Sequence, residues 1–557
     1  MDLSDVHSAL RGRGFELLTS SPFPIYIGNL SAKGVDIAAK VYIPDRSLVS
    51  LPIIQILQRP LNFPKACAHM SSDGFLCYIG KDQAHLPRDN LGAGVLGCLA
   101  LAEKLIVRTI DNETLIDTQD EFPAYWAGLD ILLDLSKDIR PGLHDDICIA
   151  ELPKINDRNH SIWIMGKVDV DFINRYEPWD AKKLFSEVLL RVVDIKSPLG
   201  AIPVDWPPKN LKSLSDWLAA IDHAGKNGLL EALKDSFKAR RNIIFLLIRA
   251  TNTSCAVFLD LNLARNIVKT SSPERFMRTV IKRYAKNVEV KRFTPIPTDP
   301  ESWISRNVTE NVIGLASKNI VLVGCGAIGG FLADLLAKQG AGFLGGRLLL
   351  VDNDYLSVGN IGRHYLGFGQ IGEIKSHSLK RDLIKKYPAI NLASSSTRVK
   401  DLVILKQADL IIDATGSPGF SQFLSESKVS HELPPIIFSW VVGTGCGAQA
   451  YLMDDEAQAC LHCLDFAQPG ASLSVMRAGY ELKFKHLGSC GEWLVPFSVP
   501  AATHAAALAA DLALAWARGK PNPTFRSITI DHEQGKLVKP NSPKRRAHCP
   551  ICSRNHS

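Results

Sequence analysis

The chain has 557 residues, 46% of them hydrophobic and 22% charged. That balance belongs to a globular protein with buried cores and excludes a chain disordered throughout; at about 150 residues per domain there is room for roughly three to four. The 64 Lys and Arg against 57 Asp and Glu leave a net charge of only +7, too thin a surplus over this length for a nucleic-acid footprint.

The opening segment MDLSDVHSALRGRGFELL lacks the basic stretch, apolar run and small-residue cleavage site of a secretory signal. No run of about 18 uncharged apolar residues follows. The expectation is a cytosolic (cytoplasmic) protein with no membrane and no nucleic-acid partner. Twelve cysteines at irregular spacings point to metal binding or catalysis rather than to a disulfide framework.

Three segments follow in chain order. Residues 1–145 read as a small α+β domain: the apolar runs IYIGNL, AAKVYI and PIIQILQRP are strand-like, and a helix is predicted from Leu91 to Val107. Residues 146–300 read as a mixed α/β middle domain, a linker or an inactive adenylation-like domain. SIWIMGKVDV and NIIFLLIRA are strand-like there, DAKKLFSEVLLRVVDI helical. Residues 301–557 open after FTPIPTDPESW and alternate strand and helix: NIVLVG, FLADLLAKQG, GRLLLVDND, KSHSLKRDLIKKY, ADLIIDATG. That alternation predicts a doubly wound, Rossmann-like parallel sheet.

NIVLVGCGAIGG sets Gly324, Gly326 and Gly329 at the GxGxxG spacing between strand and helix, where backbone N–H groups cradle phosphate. The next strand ends at Asp352, placed to accept hydrogen bonds from ribose hydroxyls. Up to this point a nicotinamide-dependent oxidoreductase fits equally well. The stretch VDNDYLSVGNIGRHYLGFGQIGEIKS separates the two, because it resembles the D-x-D-x5-N-x2-R...K signature of the ubiquitin-activating, ThiF and MoeB adenylating family. The resemblance implies that Asp352 holds the ribose, while Asn360, Arg363 and Lys375 contact the triphosphate and stabilise charge on the α-phosphate as pyrophosphate leaves. It also implies that Arg306 reaches into a partner subunit's ATP site, hence a homodimer. Where the family has a second Asp for magnesium, this sequence has Gly416, so Mg2+ falls to Asp413 or to a residue elsewhere.

Cys460-Leu-His-Cys463 and Cys549-Pro-Ile-Cys552 are two C-x2-C knuckles whose four thiolates make a structural Zn2+ site. The ThiF and MoeB relatives carry the same pair.

An adenylated C-terminus is next captured by a thiolate. Cys490, in HLGSCGEWLVPFSVPAATHAAALAADLALAW, precedes a long Ala-rich helix and is the candidate, with Cys446 and Cys325 as competitors. A second thiol lies in the N-terminal segment, where LPIIQILQRPLNFPKACAHMSSDGFLCYIG resembles the ubiquitin-conjugating fold. A Pro-bounded strand, His69, Gly74 and Cys77 match, and Cys67 and Cys98 are the nearby alternatives. The oxyanion-stabilising Asn of that fold is replaced, leaving the role to Ser71, Ser72 or backbone amides.

This layout resembles the fused activating–conjugating enzymes of bacterial anti-phage cyclic-oligonucleotide (CBASS) operons. The resemblance implies an ATP-dependent ligase acting on the C-terminus of a cGAS-like nucleotidyltransferase and on a lysine-bearing target. The other reading is an adenylating enzyme for a ubiquitin-like or sulfur-carrier protein whose N-terminal domain docks substrate.

Overall fold

The structure, a computed structural model, describes residues 3–61, 63, 67–71, 73–80, 84–114, 116–135, 139–151, 162–167, 186–200, 206–306, 314–397, 403–430, 433–455, 457–464, 466–486 and 493–552. It divides into two units, Met1–Pro297 and Thr298–Ser557.

The first unit begins with the helix Ser4–Gly12, followed by an antiparallel meander of β1 (Glu16–Thr19), β2 (Ile25–Ala32), β3 (Val35–Tyr42) and β4 (Ile53–Ile56). The helix Leu91–Ile110 closes it, started by the Asn90 side chain accepting from the Ala93 N–H at 2.9 Å. Its buried stripe, Val95, Cys98, Leu99, Ala102, Leu105 and Ile106, recurs every three or four residues and packs on Tyr26, Ile37, Val41 and Ile54. Between β4 and this helix the chain folds back on the sheet: the Leu76 N–H donates to the Ile54 carbonyl at 2.9 Å and the Cys77 N–H to the His69 carbonyl at 2.8 Å. Gly74 makes the turn at φ +84°, and a Cβ there would sit 2.3 Å from the Ile56 oxygen, so only glycine fits.

The rest of the first unit is a closed mixed barrel of β5 (Leu129–Asp134), β6 (Gly142–Glu151), β7 (Trp163–Lys167), β8 (Ser186–Asp194), β9 (Ile243–Arg249), β10 (Ser254–Asp260) and β11 (Val290–Pro297), in the order β10-β11-β5-β7-β6-β8-β9. Alternate residues divide between two cores. Val188, Leu190, Phe245 and Leu247 pack with one another and with Phe293, whereas Ile244, Leu246 and Ile248 pack with residues of the helices Leu211–Ile221 and His223–Lys238.

Three expectations change here. The barrel begins at Leu129, so a boundary at residues 145/146 cuts through β6. A closed barrel replaces the doubly wound sheet that an inactive adenylation-like domain requires. Ser186–Asp194 within the expected helix DAKKLFSEVLLRVVDI is a strand: its Val-Leu-Leu and Val-Val runs are buried on both faces between β6 and β9, and β-branched residues favour that position.

Phe122, Trp126 and Trp217 stack in the core between the barrel and its helices, with Trp126 and Trp217 centroids 5.2 Å apart and all three fully buried. The Trp126 indole N–H donates to the Phe293 carbonyl of β11 at 2.9 Å. Trp126→Ala therefore removes a buried ring and a strand anchor together, an expected loss of about 3–5 kcal/mol in urea unfolding. A change under about 1 kcal/mol would show that the ring is dispensable.

The second unit is a sheet of β12 (Asn319–Val323), β13 (Arg347–Val351), β14 (Leu392–Ser395), β15 (Leu410–Asp413), β16 (Ile436–Val442), β17 (Gly447–Met453) and a last strand, Phe525–Thr529. The order is β14-β13-β12-β15-β16-β17-last, parallel through β16 and antiparallel beyond it. The strand order reverses between β12 and β15, which opens a crevice at their carboxyl ends. The Ala-rich helix Val499–Ala517 is long and apolar enough to cross a membrane by length and composition alone. Its Ala501, Ala505, Ala509 and Ala513 are instead buried in the core beside β16 and β17.

Candidate active site

The crevice is where the predicted nucleotide residues converge. After β12 the chain turns through Gly324 at φ +87° into the helix Gly329–Lys338, and Gly329 packs so closely that a Cβ would lie 1.8 Å from the Gly324 oxygen. At Gly326 a Cβ would meet nothing within 4 Å, because that position faces open space. The helix has no side-chain cap; within its first turn the Gly330 N–H donates to the Gly326 carbonyl at 2.9 Å, and an uncapped N-terminus of this kind favours an anion.

Asp352, at the end of β13, accepts from the Cys325 N–H at 2.7 Å and from the Asp354 N–H at 2.8 Å. It lines a cavity of about 470 Å3 with Gly324, Gly326, Thr397 and Phe420. A second cavity, of about 620 Å3, is lined by Asn360, Arg363, His364 and an apolar wall of Phe438, Trp440 and Phe497. The two share Gly326, Asp354, Lys375, Ala414 and Thr415.

Lys375 opens the helix Lys375–Lys386 and is only 6% exposed, its Nζ paired with the Asp354 carboxylate. The Arg363 guanidinium lies 5.1 Å from the centre of the Phe497 ring, a cation–π contact that holds it across the second cavity. Asn360 accepts from the Ser357 N–H at 3.0 Å through its amide oxygen, which turns the NH2 group the other way. Sequence reasoning did not assign roles to Asp354 or His364, although each adjoins or sits within the motif it used.

Several expected residues stand elsewhere. Asp413 is buried, and its two oxygens are taken by Thr415 and by the Ser421 hydroxyl. Burial pushes its carboxyl up, against those hydrogen bonds. It braces the turn after β15 and lines neither cavity, so it is a poor magnesium ligand. Arg306 is exposed at the end of the helix Pro300–Ser305 and lines neither cavity of its own chain. Cys490 lies outside the described residues, in the connection between the paired strands Lys485–His486 and Trp493–Leu494. Its competitors are poor nucleophiles: Cys325 and Cys446 are buried, and burial raises both thiols.

In the first unit Cys77 is exposed, whereas Cys98 is buried and Cys67 partly so, both with thiols raised by burial. His69 braces the loop. Its carbonyl accepts from the Cys77 N–H, and its ring reaches Asp117 at 3.0 Å and Glu121 at 3.4 Å. The Ser71 hydroxyl accepts from the Phe75 N–H and closes the turn; Ser72 lies outside the described residues.

Cys460, Cys463, Cys549 and Cys552 are all buried, with their sulfurs within 4.8 Å of one another and three of the pairs at 3.6–3.7 Å. Zinc–sulfur bonds of about 2.3 Å at tetrahedral corners require sulfurs about 3.8 Å apart, so the donor set fits zinc.

Residues 308–551 match the ThiF family, and residues 15–130 match prokaryotic E2 family B. The chain carries an E2-like domain and a ThiF adenylation domain, with the barrel lying between them in the sequence. It is 28% identical over 575 residues to the ATP-dependent ubiquitin transferase-like protein Cap2 of Pseudomonas aeruginosa, covering 99% of each chain. To the Cap2 of Vibrio cholerae it is 25% identical, covering 98% of this chain and 99% of the other. A crystal structure of Escherichia coli MccB with ATP is 18% identical and covers 52% of this chain and 83% of that one, at a TM-score of 0.35. The ThiF match spans the glycine loop, Asp352, Lys375 and all but the last of the four clustered cysteines, and the E2 match spans Cys77.

Purified protein is expected to carry one zinc atom per chain by elemental analysis. Cys549→Ser should lose the metal and lower the melting temperature, and a metal-free wild type of unchanged stability would refute the site.

Proposed function

We propose that this protein activates the C-terminus of a protein substrate with ATP and passes it through two cysteines to an amine. The observation that carries this reading is the junction of the two cavities. Gly326, Lys375 and Asp354 are shared by a nucleotide-sized space and an apolar-walled space into which Arg363 also faces. A nucleotide on the glycine loop and a carboxylate in the second cavity would meet at that junction.

The substrate carboxylate attacks the α-phosphorus, pyrophosphate leaves, and an acyl-adenylate remains. Lys375 and Arg363 offset the charge that builds up on the phosphorus oxygens. The Cys490 thiolate then displaces AMP, Cys77 takes the acyl group by thioester exchange, and a target lysine amine attacks that thioester and frees Cys77. Asp354, the carboxylate common to both cavities, would hold the magnesium that accompanies ATP once Lys375 turns to the phosphate. Arg306 would complete the nucleotide site of a second copy in a homodimer. By the resemblance of its layout to the CBASS enzymes, the substrate is a cGAS-like nucleotidyltransferase and the setting is anti-phage defence in the bacterial cytoplasm.

Non-reducing gels of the protein with ATP, magnesium and its neighbouring cyclase-like protein test the relay. Wild type should form ATP-dependent, reductant-sensitive adducts; Cys490→Ala should abolish them, and Cys77→Ala should block only transfer to target. Product that survives Cys77→Ala would reduce the N-terminal domain to a docking module. Separately, Lys375→Ala should slow ATP–pyrophosphate exchange at least ~100-fold, and exchange within a few fold of wild type would remove Lys375 from the chemistry.

A further inference from the structure

His364 follows Arg363 in the chain and is 8% exposed. Its Nε2 lies 2.7 Å from the Cys325 carbonyl, and its Nδ1 accepts from the Leu366 N–H at 3.0 Å. A carbonyl has no proton to give, so Nε2 carries the hydrogen. Nδ1 faces an N–H, so it must keep its lone pair. The two contacts define one neutral tautomer. Burial, Lys375 and Arg363 oppose a positive charge on the ring, while the Cys325 carbonyl and Asp352 favour one; burial and the two cations prevail and hold the imidazole below its ordinary range.

The Cys325 carbonyl and the Gly326 N–H belong to one planar trans peptide and point in opposite directions. On the same residue, the Cys325 N–H is held by Asp352. Drawing the carbonyl toward His364 therefore turns the Gly326 N–H away from it, at the glycine that lines both cavities and whose Cβ position is open.

We infer that His364 is a positioning residue for nucleotide activation: its Nε2–H pins the Cys325 carbonyl and so presents the Gly326 N–H as a donor to a phosphate oxygen. The inference rests on the nucleotide reading of the crevice. It assigns the imidazole a task that only its neutral form performs, because an imidazolium would set Nδ1–H against the Leu366 N–H. Phosphate binding should then weaken on acidification through this ring, apart from any titration of the phosphate itself.

Glutamine places an amide NH2 where Nε2 stands, and asparagine places its oxygen where Nδ1 stands. Calorimetric titration with magnesium and the non-hydrolysable analogue AMPCPP needs no protein substrate and separates the two contacts. His364→Gln should bind within about threefold of wild type near pH 8, while His364→Asn and His364→Ala should bind at least ~10-fold more weakly, the scale of one hydrogen bond to a charged ligand. Between about pH 8 and about pH 5.5 wild type should lose more affinity than His364→Gln. Melting curves keep this distinct from a folding defect, since Asn and Ala variants that melt with wild type yet bind weakly report on the loop. Equal binding by wild type and His364→Ala, or a glutamine variant as weak as alanine, overturns the inference. Wild type that binds no AMPCPP at all refutes the nucleotide reading beneath it.

Discussion

One carboxylate organises the second unit. Asp352 follows directly on β13 yet bonds the N–H of Cys325 in the turn after β12 and the N–H of Asp354 in its own turn, so two strand ends become one rigid edge. The glycine loop, the Asp354–Lys375 pair and the path of the chain toward Asn360 and Arg363 all leave from that edge. A nucleotide site needs its donors fixed before the ligand arrives, because ordering them afterwards would subtract from the binding free energy. Ser376 adds to the fixing by donating to the Asp352 carbonyl at 2.8 Å, which draws the start of the Lys375 helix against the strand end.

The E2-like part meets the same need by different means. Its thiol sits on a folded-back loop rather than at a strand end, held through backbone pairing with β4 and through His69, whose ring is gripped by two carboxylates. The result is an exposed sulfur on a braced backbone.

Much of this was legible in the sequence where the chemistry is local. The glycine spacing and the strand-to-Asp352 register fall where the alternation of strand and helix put them, and the two cysteine knuckles, read from their C-x2-C spacing alone, come together in one cluster. What failed was non-local. Ser186–Asp194 carries two short apolar runs, Val188–Leu190 and Val192–Val193, split by Arg191, and such runs fit a buried strand as well as a helix until their neighbours are known. The start of the barrel at Leu129 could not be read, because β5 pairs with β7 and β11, far along the chain. Asp413 looked like a metal ligand by position alone; its burial under Ser421 and Thr415 is a tertiary fact. His364 was passed over because a histidine's role depends on what each ring nitrogen faces, and neither the Cys325 carbonyl nor the Leu366 N–H is marked in a motif.

The two knuckles also change the topology of the chain. Cys463 and Cys549 are brought together across most of the last third of the second unit, and the Ala-rich helix, the final strand of the sheet and the connection that holds Cys490 all lie between them. With a metal in place those elements form a closed ring rather than a tail. A protease cut within the ring would yield two fragments that still travel as one particle, clasped by four thiolates as a disulfide would clasp them, but by a bond that a chelator rather than a reductant undoes.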